Sequence, residues 1–318
     1  MKQLWQSLAI TVVLGGVLLG GITYGVHSMG TQAAPREATA TTSPETTALP
    51  AAAVTAAPKD PFEGLNLTGQ AAIVVDLSNG QTLYSQNADA RLPLASLTKL
   101  ITFFEAQRVL SPQSLVTMSS TSLAQDGDYG FVQGETFTYQ DLAKLALTNS
   151  SNDAAEAIAE AAAQATGQTI PAYMATAINA AGLSHTSATN STGLDLSLTE
   201  AGAYGSARDV AKLAQEFLAA APVISEATTH SAVTIYSTAG VAHSLSNTNP
   251  DVSSLTGLLL SKTGYTDLAG GNLAVIFDAG INHPVAVVVL GSTHDARFTD
   301  VEKLMHATLA SFKEDKSH

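Results

Sequence analysis

No cysteine occurs in the 318 residues. Disulfides, thiolate catalysis and Cys-ligated metals are therefore excluded, while the compartment stays open, because an exported protein need not carry disulfides. Charge is also scarce, at 13% of the chain, and leans acidic: 14 Lys and Arg against 27 Asp and Glu, a formal net charge of −13. Such a surface repels phosphate-rich polymers, so no nucleic-acid partner is expected. A basic amphipathic helix that would dock on an anionic membrane is missing as well. The eight histidines show no H-E-x-x-H or comparable spacing, so no metal or other cofactor is expected. His294-Asp295 reads as a turn pair. No internal repeat is present.

What the chain does have begins with one long apolar run. From Leu8 to Val26, 19 residues carry no charge, with Lys2 on their N-terminal side. That length exceeds the core of a usual cleaved signal peptide and matches one bilayer span. Residues 1–30 read as a single-pass anchor oriented N-in and C-out, or as a long signal peptide cut near Ser28-Met29-Gly30. Both readings place the remainder on the extracytoplasmic face. Residues 31–60 read as a disordered linker, since 21 of these 30 are Ala, Thr or Pro and no apolar face recurs. The charges of residues 1–60 cancel, three against three, so the domain expected over 61–318 carries the whole −13.

That domain reads as α+β. Ala71–Val75 and Gln81–Ser85 flank Asn79-Gly80, a hairpin signal. Helical stretches are expected at about 96–110, 139–149, 153–166, 170–181 and 206–220, the last with a capping-box-like start at Ser206 and Asp209. Strands return at Ala232–Tyr236, Leu258–Lys262, Leu273–Asp278 and Val285–Leu290. A closing helix runs from about Thr299 to Phe312, with Val301, Leu304, Met305 and Leu309 at core spacing. Strands, a helical block, strands again and a final helix suggest an antiparallel sheet with that helix on one face and a helical layer beside it.

Three short elements carry chemistry. Ser96-Leu97-Thr98-Lys99 puts an amine and a hydroxyl on one helical face. A lysine made neutral by burial can take the serine proton, and a helix start offers N–H groups to an oxyanion. Ser150-Ser151-Asn152 lies between two expected helices. Its serine can relay a proton and its asparagine amide can accept from an ammonium and donate to a carbonyl, although Ser and Asn are also ordinary helix caps. Lys262-Thr263-Gly264 ends a strand. Lysine and threonine there can hold a carboxylate, and a glycine lets a substrate backbone lie against the strand. Aromatic core packing is the reading for the side chains of Tyr204 and Tyr265.

The order S-x-x-K, S-x-N, K-T-G, with gaps of 54 and 112 residues between Ser96, Ser150 and Lys262, resembles the motif set of penicillin-binding proteins. Pro93–Leu100, Ser150–Ala155, Asn190–Leu194, Ser206–Ala211, Asn247–Asn249, Lys262–Thr266 and Ala269-Gly270 together resemble the low-molecular-mass D-alanyl-D-alanine carboxypeptidases, over about residues 61–313. The resemblance implies a β-lactamase/transpeptidase-like fold, with a sheet of about five strands, flanking helices and an all-helical part. It implies Ser96 as nucleophile, Lys99 as general base and Ser150 as proton relay. Asn152 would position the substrate amide, Lys262 and Thr263 would bind the terminal carboxylate, and Gly264 would line the strand edge. The N–H groups of Ser96 and Tyr265 would form the oxyanion hole, with Arg297 as a carboxylate helper. The implied partners are the peptidoglycan stem peptide and β-lactams as covalent inhibitors, with the membrane engaged through the N-terminal segment.

Three alternatives share these motifs. A D,D-endopeptidase would cut cross-links on the same scaffold. A class A β-lactamase needs a deacylating glutamate, and none occurs in His185–Asp195. A non-enzymatic envelope sensor would bind muropeptide or β-lactam without turnover.

Overall fold

The computed structural model describes residues 60–315. The expected anchor at 1–30 and all but the last residue of the expected linker lie outside the described residues. Among the described residues no helix is long and apolar enough to cross a membrane.

The chain opens with the expected hairpin, β1 (Ala71–Asp76) and β2 (Thr82–Gln86). β3 (Leu92–Pro93) then leads through a 3-10 turn at Ala95–Leu97 into α1 (Thr98–Val109), so the helix expected from residue 96 begins two residues later. The short strands β4 (Leu115–Thr117) and β5 (Thr136–Thr138) precede three helices, α2 (Tyr139–Asn149), α3 (Asn152–Thr166) and α4 (Ile170–Ala180). Next come β6 (Ser187–Ala188), β7 (Ala203–Gly205), α5 (Ala207–Ala220) and α6 (Pro222–Ala227). β8 (Ala232–Tyr236) and β9 (Ala242–Ser246) form a separate hairpin. Three long strands follow, β10 (Leu258–Thr266), β11 (Gly270–Asp278) and β12 (Pro284–Ser292), and α7 (Ala296–Asp315) closes the order.

One antiparallel sheet of five strands, in the order β10-β11-β12-β1-β2, forms the frame. Its central strands are apolar almost throughout because both faces are covered. Alternation decides which residue goes where. On β12, Val285, Val287 and Val289 pack with Val301, Leu304 and Met305 of α7. Ala286, Val288 and Leu290 point the other way, into the core shared with the helical lobe. The helix α1 runs through that lobe, with every residue from Thr98 to Ala106 buried. The start of α5 differs in detail from a capping box. Ser206 Oγ accepts from Asp209 N at 3.1 Å, but the Asp209 carboxylate accepts from His185 N and Thr186 Oγ1 instead of reaching back.

Candidate active site

Sheet and helical lobe meet at the free edge of β10, and there the three motifs converge. Lys99 Nζ lies 2.8 Å from Ser96 Oγ, 2.7 Å from Asn152 Oδ1 and 3.0 Å from the Thr192 carbonyl. Lys262 Nζ donates to Ser150 Oγ at 2.9 Å and to the Thr263 carbonyl at 2.8 Å. Thr263 Oγ1 and Thr248 Oγ1 are 2.6 Å apart.

Local chain geometry sets each group. Ala95, the residue before Ser96, has φ +47°, and the 3-10 turn places Ser96 one turn from Lys99. Ser150 ends α2 in the left-handed region at φ 68°. Ser151 caps α3 by accepting from Ala154 N at 3.2 Å, so the capping reading holds for Ser151, while Ser150 is left to face Lys262. Asn152 opens α3 and its Nδ2 donates to the Asp126 carbonyl at 2.7 Å. A backbone carbonyl only accepts, so this bond fixes the amide with Oδ1 toward Lys99 and keeps one Nδ2 hydrogen free. Gly264 approaches Ser96 closely: a Cβ there would sit 3.2 Å from Ser96 N and 3.0 Å from the Leu94 carbonyl.

The electrostatics follow from burial. Burial pushes the Lys99 amine down to about 7. Lys262 is held well below its ordinary value, first by burial and then by the charges of Lys99 and Arg297. Two amines thus compete to stay charged in one dry site. A neutral Lys99 has two N–H groups and one lone pair. Asn152 Oδ1 and the Thr192 carbonyl can only accept, so they take the N–H groups and leave the lone pair for the Ser96 hydroxyl.

Arg297 lies at the same cleft. It is buried, its Nη1 donates to the Gly264 carbonyl at 2.8 Å, and its guanidinium stacks 4.7 Å over the Phe298 ring. Its Nε has no hydrogen-bond partner among the described residues. The expectation of core packing fails for Tyr265, which lines the cleft at 48% exposure with its ring edge-on to His294. Tyr204 lies away from the cleft lining and carries Arg91 over its ring. His294 pairs with Asp295 at 2.7 Å just before α7, as a turn pair does, and both line the cleft.

The cleft has a volume of about 730 Å³ and no glutamate in its wall. The glutamate base that a class A β-lactamase needs is thus missing from the described lining, whose carboxylates are Asp126 and Asp295. Sequence reasoning gave no role to Thr192, Thr248, Gly193 or the Asp126–Tyr129 loop. The first three fall within stretches that resemble the family, so only their part in the site was hidden. The loop carries no motif.

The profile of the D-alanyl-D-alanine carboxypeptidase family matches residues 54–294. The D-alanyl-D-alanine carboxypeptidase DacF of Bacillus subtilis is 28% identical over 77% of this chain and 63% of its own length, so this chain spans less than two thirds of that relative. A D-alanyl-D-alanine endopeptidase of Pseudomonas aeruginosa is 31% identical over 80% of this chain and 82% of its own. Among solved structures, ampicillin-bound penicillin-binding protein D2 of Listeria monocytogenes superposes with a TM-score of 0.65 at 31% identity, over 76% of this chain and 98% of that one.

Proposed function

Because this chain belongs to the D-alanyl-D-alanine carboxypeptidase family, we propose that it is a penicillin-binding serine D,D-peptidase that removes the terminal D-alanine of peptidoglycan stem peptides. The observation that carries this reading is the contact of Lys99 Nζ with Ser96 Oγ at 2.8 Å, in a pocket whose burial brings the amine down to about 7. Ser96 Oγ attacks the penultimate D-alanine carbonyl and passes its proton to Lys99. The C–N bond breaks, and Ser150 relays the proton to the leaving amine. Water then cleaves the acyl-enzyme and restores the Ser96 hydroxyl. Ser96 N and Tyr265 N receive the oxyanion.

The substrate itself settles which lysine is charged. A carboxylate docking at Lys262, Thr263 and Arg297 raises the Lys262 affinity for a proton. The charged Lys262 in turn disfavours a proton on Lys99, which is left as the base. β-Lactams that mimic the acyl-D-alanyl-D-alanine backbone acylate the same serine and stay attached. Labelling with a fluorescent penicillin tests the assignment: the wild type is labelled and Ser96→Ala is not. Persistent labelling of the variant removes Ser96 as nucleophile.

A second reading is a D,D-endopeptidase, favoured by the larger share of the endopeptidase relative that this chain matches. Free D-alanine release from a pentapeptide, compared with cleavage of cross-linked dimers, separates the two. We further propose that the domain faces the extracytoplasmic side on a single-pass N-in, C-out anchor, supported by the uncharged Leu8–Val26 run after Lys2. Membrane fractionation with N-terminal sequencing tests this. A membrane-bound chain beginning at Met1 agrees with an anchor, and a released chain beginning near Gly30 replaces it with a cleaved signal.

A further inference from the structure

Two protein acceptors hold Lys99, and one face of α3 supports both. Asn152, Glu156 and Glu160 recur at every fourth residue of that helix, so they lie one above another. Asn152 meets Lys99 directly, through Oδ1 at 2.7 Å. Glu156, one turn further along and half-buried, accepts a hydrogen bond from Ser191 Oγ. Ser191 is fully buried and precedes Thr192, whose carbonyl is the second acceptor, 3.0 Å from Lys99 Nζ. The Ser191 carbonyl is held as well: Thr102 Oγ1, one turn past Lys99 on α1, donates to it at 2.6 Å. Within the loop, Asn190 Oδ1 sets the tilt of the Thr192–Gly193 peptide by accepting from Gly193 N at 2.7 Å. Glu156 and Thr102 tie that loop to the two helices that carry Asn152 and Lys99. A half-buried carboxylate is unfavourable unless it is hydrogen-bonded. Burial raises the Glu156 carboxyl, the Ser191 bond lowers it, and the charge of Glu160 raises it again.

From this chain of contacts we infer that Glu156 is a positioning residue for the base: by holding Ser191 it keeps the Thr192 carbonyl on Lys99. The inference rests on the D,D-peptidase reading, in which Lys99 takes the Ser96 proton. Glu156 touches neither substrate nor reacting atoms. Its effect passes through one hydroxyl and one backbone carbonyl. A neutral amine has two N–H groups and one lone pair, and the lone pair faces Ser96 only while both N–H groups are taken. Release of Ser191 lets the Thr192 carbonyl drift, one N–H loses its acceptor, and the lone pair turns away from the serine. The ammonium form loses the same acceptor, so it too is less favoured. Loss of the Glu156 bond therefore slows proton transfer and lowers the pH at which Lys99 becomes neutral.

The test is stopped-flow acylation of the full chain by a fluorescent penicillin across the pH range, with melting temperatures recorded beside it. Glu156→Leu is expected to lower the high-pH acylation rate about tenfold, the scale of one lost hydrogen bond. It should also move the midpoint of the profile down by about half a pH unit, because an acceptor of the ammonium is gone. Glu156→Gln keeps an oxygen for Ser191, and burial rather than a carboxylate sets Lys99. It should hold the wild-type midpoint and a rate within about threefold of wild type. Ser191→Ala, a small change that keeps the fold if Glu156→Leu does not, cuts the same bond from the other side. It should match Glu156→Leu, and the double variant should be no slower than either single one. A Ser191→Ala rate within about twofold of wild type overturns the inference, since one bond is worth more than that. So does Glu156→Gln as slow as Glu156→Leu, or a slower rate at an unmoved midpoint, which is loss of fold alone. Each of these leaves the peptidase reading standing. A wild type that penicillin never acylates overturns both.

Discussion

Lys262 donates a 2.9 Å hydrogen bond to Ser150 although 112 residues separate them in the chain. One partner is on the edge strand β10 and the other is the left-handed residue that ends α2. The bond is made where the sheet meets the helical lobe. It also lies next to the Lys99–Asn152 contact, because Ser150 and Asn152 flank the cap residue of α3. The Ser150 hydroxyl at Lys262 and the Asn152 amide at Lys99 are thus set by one turn of three residues, and any movement of that turn moves both.

The first expected outcome concerns pH. Burial lowers Lys99 to about 7, so its neutral, basic form predominates above that value and is lost below it. The acylation rate by a β-lactam should rise between pH 5 and 8 with an apparent midpoint near 7, as a property of the coupled lysine pair. Stopped-flow acylation across that range measures it. A flat profile would show that the base is already neutral at pH 5 or that Lys99 is not the base.

A second outcome separates backbone from hydroxyl at Ser150. Its φ of 68° lies where a side chain costs roughly 1–2 kcal/mol and glycine costs little. Ser150→Ala and Ser150→Gly lose the same bond to Lys262, so their difference isolates the backbone. Ser150→Gly is expected to be the more stable by about 1 kcal/mol, which corresponds to a melting temperature higher by about 2–4 °C in a domain of this size. Both variants lose D-alanine release. Turnover near wild type in Ser150→Gly would remove the relay role, and equal melting of the two would remove the conformational argument.

The sequence showed the long strands, the major helices and the residues of all three motifs. These have clear periodicity, or chemistry that is rare in combination. The short strands β3 to β7 escaped notice because two or three residues hold no period, and the hairpin partner β9 with its polar AHSLS pattern looks like a loop. The helix α1 is buried from Thr98 to Ala106, so it shows no amphipathic stripe there, and its reading as a helix rested on the run as a whole. Thr192 acts through its backbone carbonyl, which no side-chain pattern can reveal. Tyr265 read as core because an aromatic usually is, yet it follows Gly264 at a free sheet edge, where there is no layer to bury it.

Lys262 yields a third prediction. If it supplies positive potential for a carboxylate, Lys262→Met should damage carboxylate substrates selectively. Loss of one charge-assisted contact at a dry transition state is expected to cost about 3–4 kcal/mol, or roughly 10²–10³ in rate. A substrate with a C-terminal amide should lose less than tenfold. The ratio of kcat/KM for acid and amide peptides, in wild type and variant, is the measurement. An unchanged ratio would assign carboxylate binding to Thr263 and Arg297 alone.

The most demanding test is at Gly193, which carries no chemistry of its own. It follows Thr192, whose carbonyl holds Lys99, and its φ is +81°. A Cβ at this position would lie 1.9 Å from the Ala95 carbonyl oxygen and 2.6 Å from Thr98 Oγ1. The same carbonyl already accepts from Thr98 Oγ1 at 2.7 Å, next to Ser96. Both sides of the clash are backbone or a fixed hydroxyl, so neither can turn aside, and relief requires Ser96 to move away from Lys99. Gly193→Ala is therefore expected to lower stability by about 2 kcal/mol or more and to slow penicillin acylation at least a hundredfold. Gly167→Ala is the matched control. It shares a positive φ, +67°, but nothing lies within 4 Å of its Cβ position. It should cost about 1 kcal/mol of stability and leave acylation within twofold of wild type. Melting temperatures and labelling rates for the two variants decide the matter. If Gly193→Ala acylates as fast as Gly167→Ala, close backbone packing is not what holds the serine against its base.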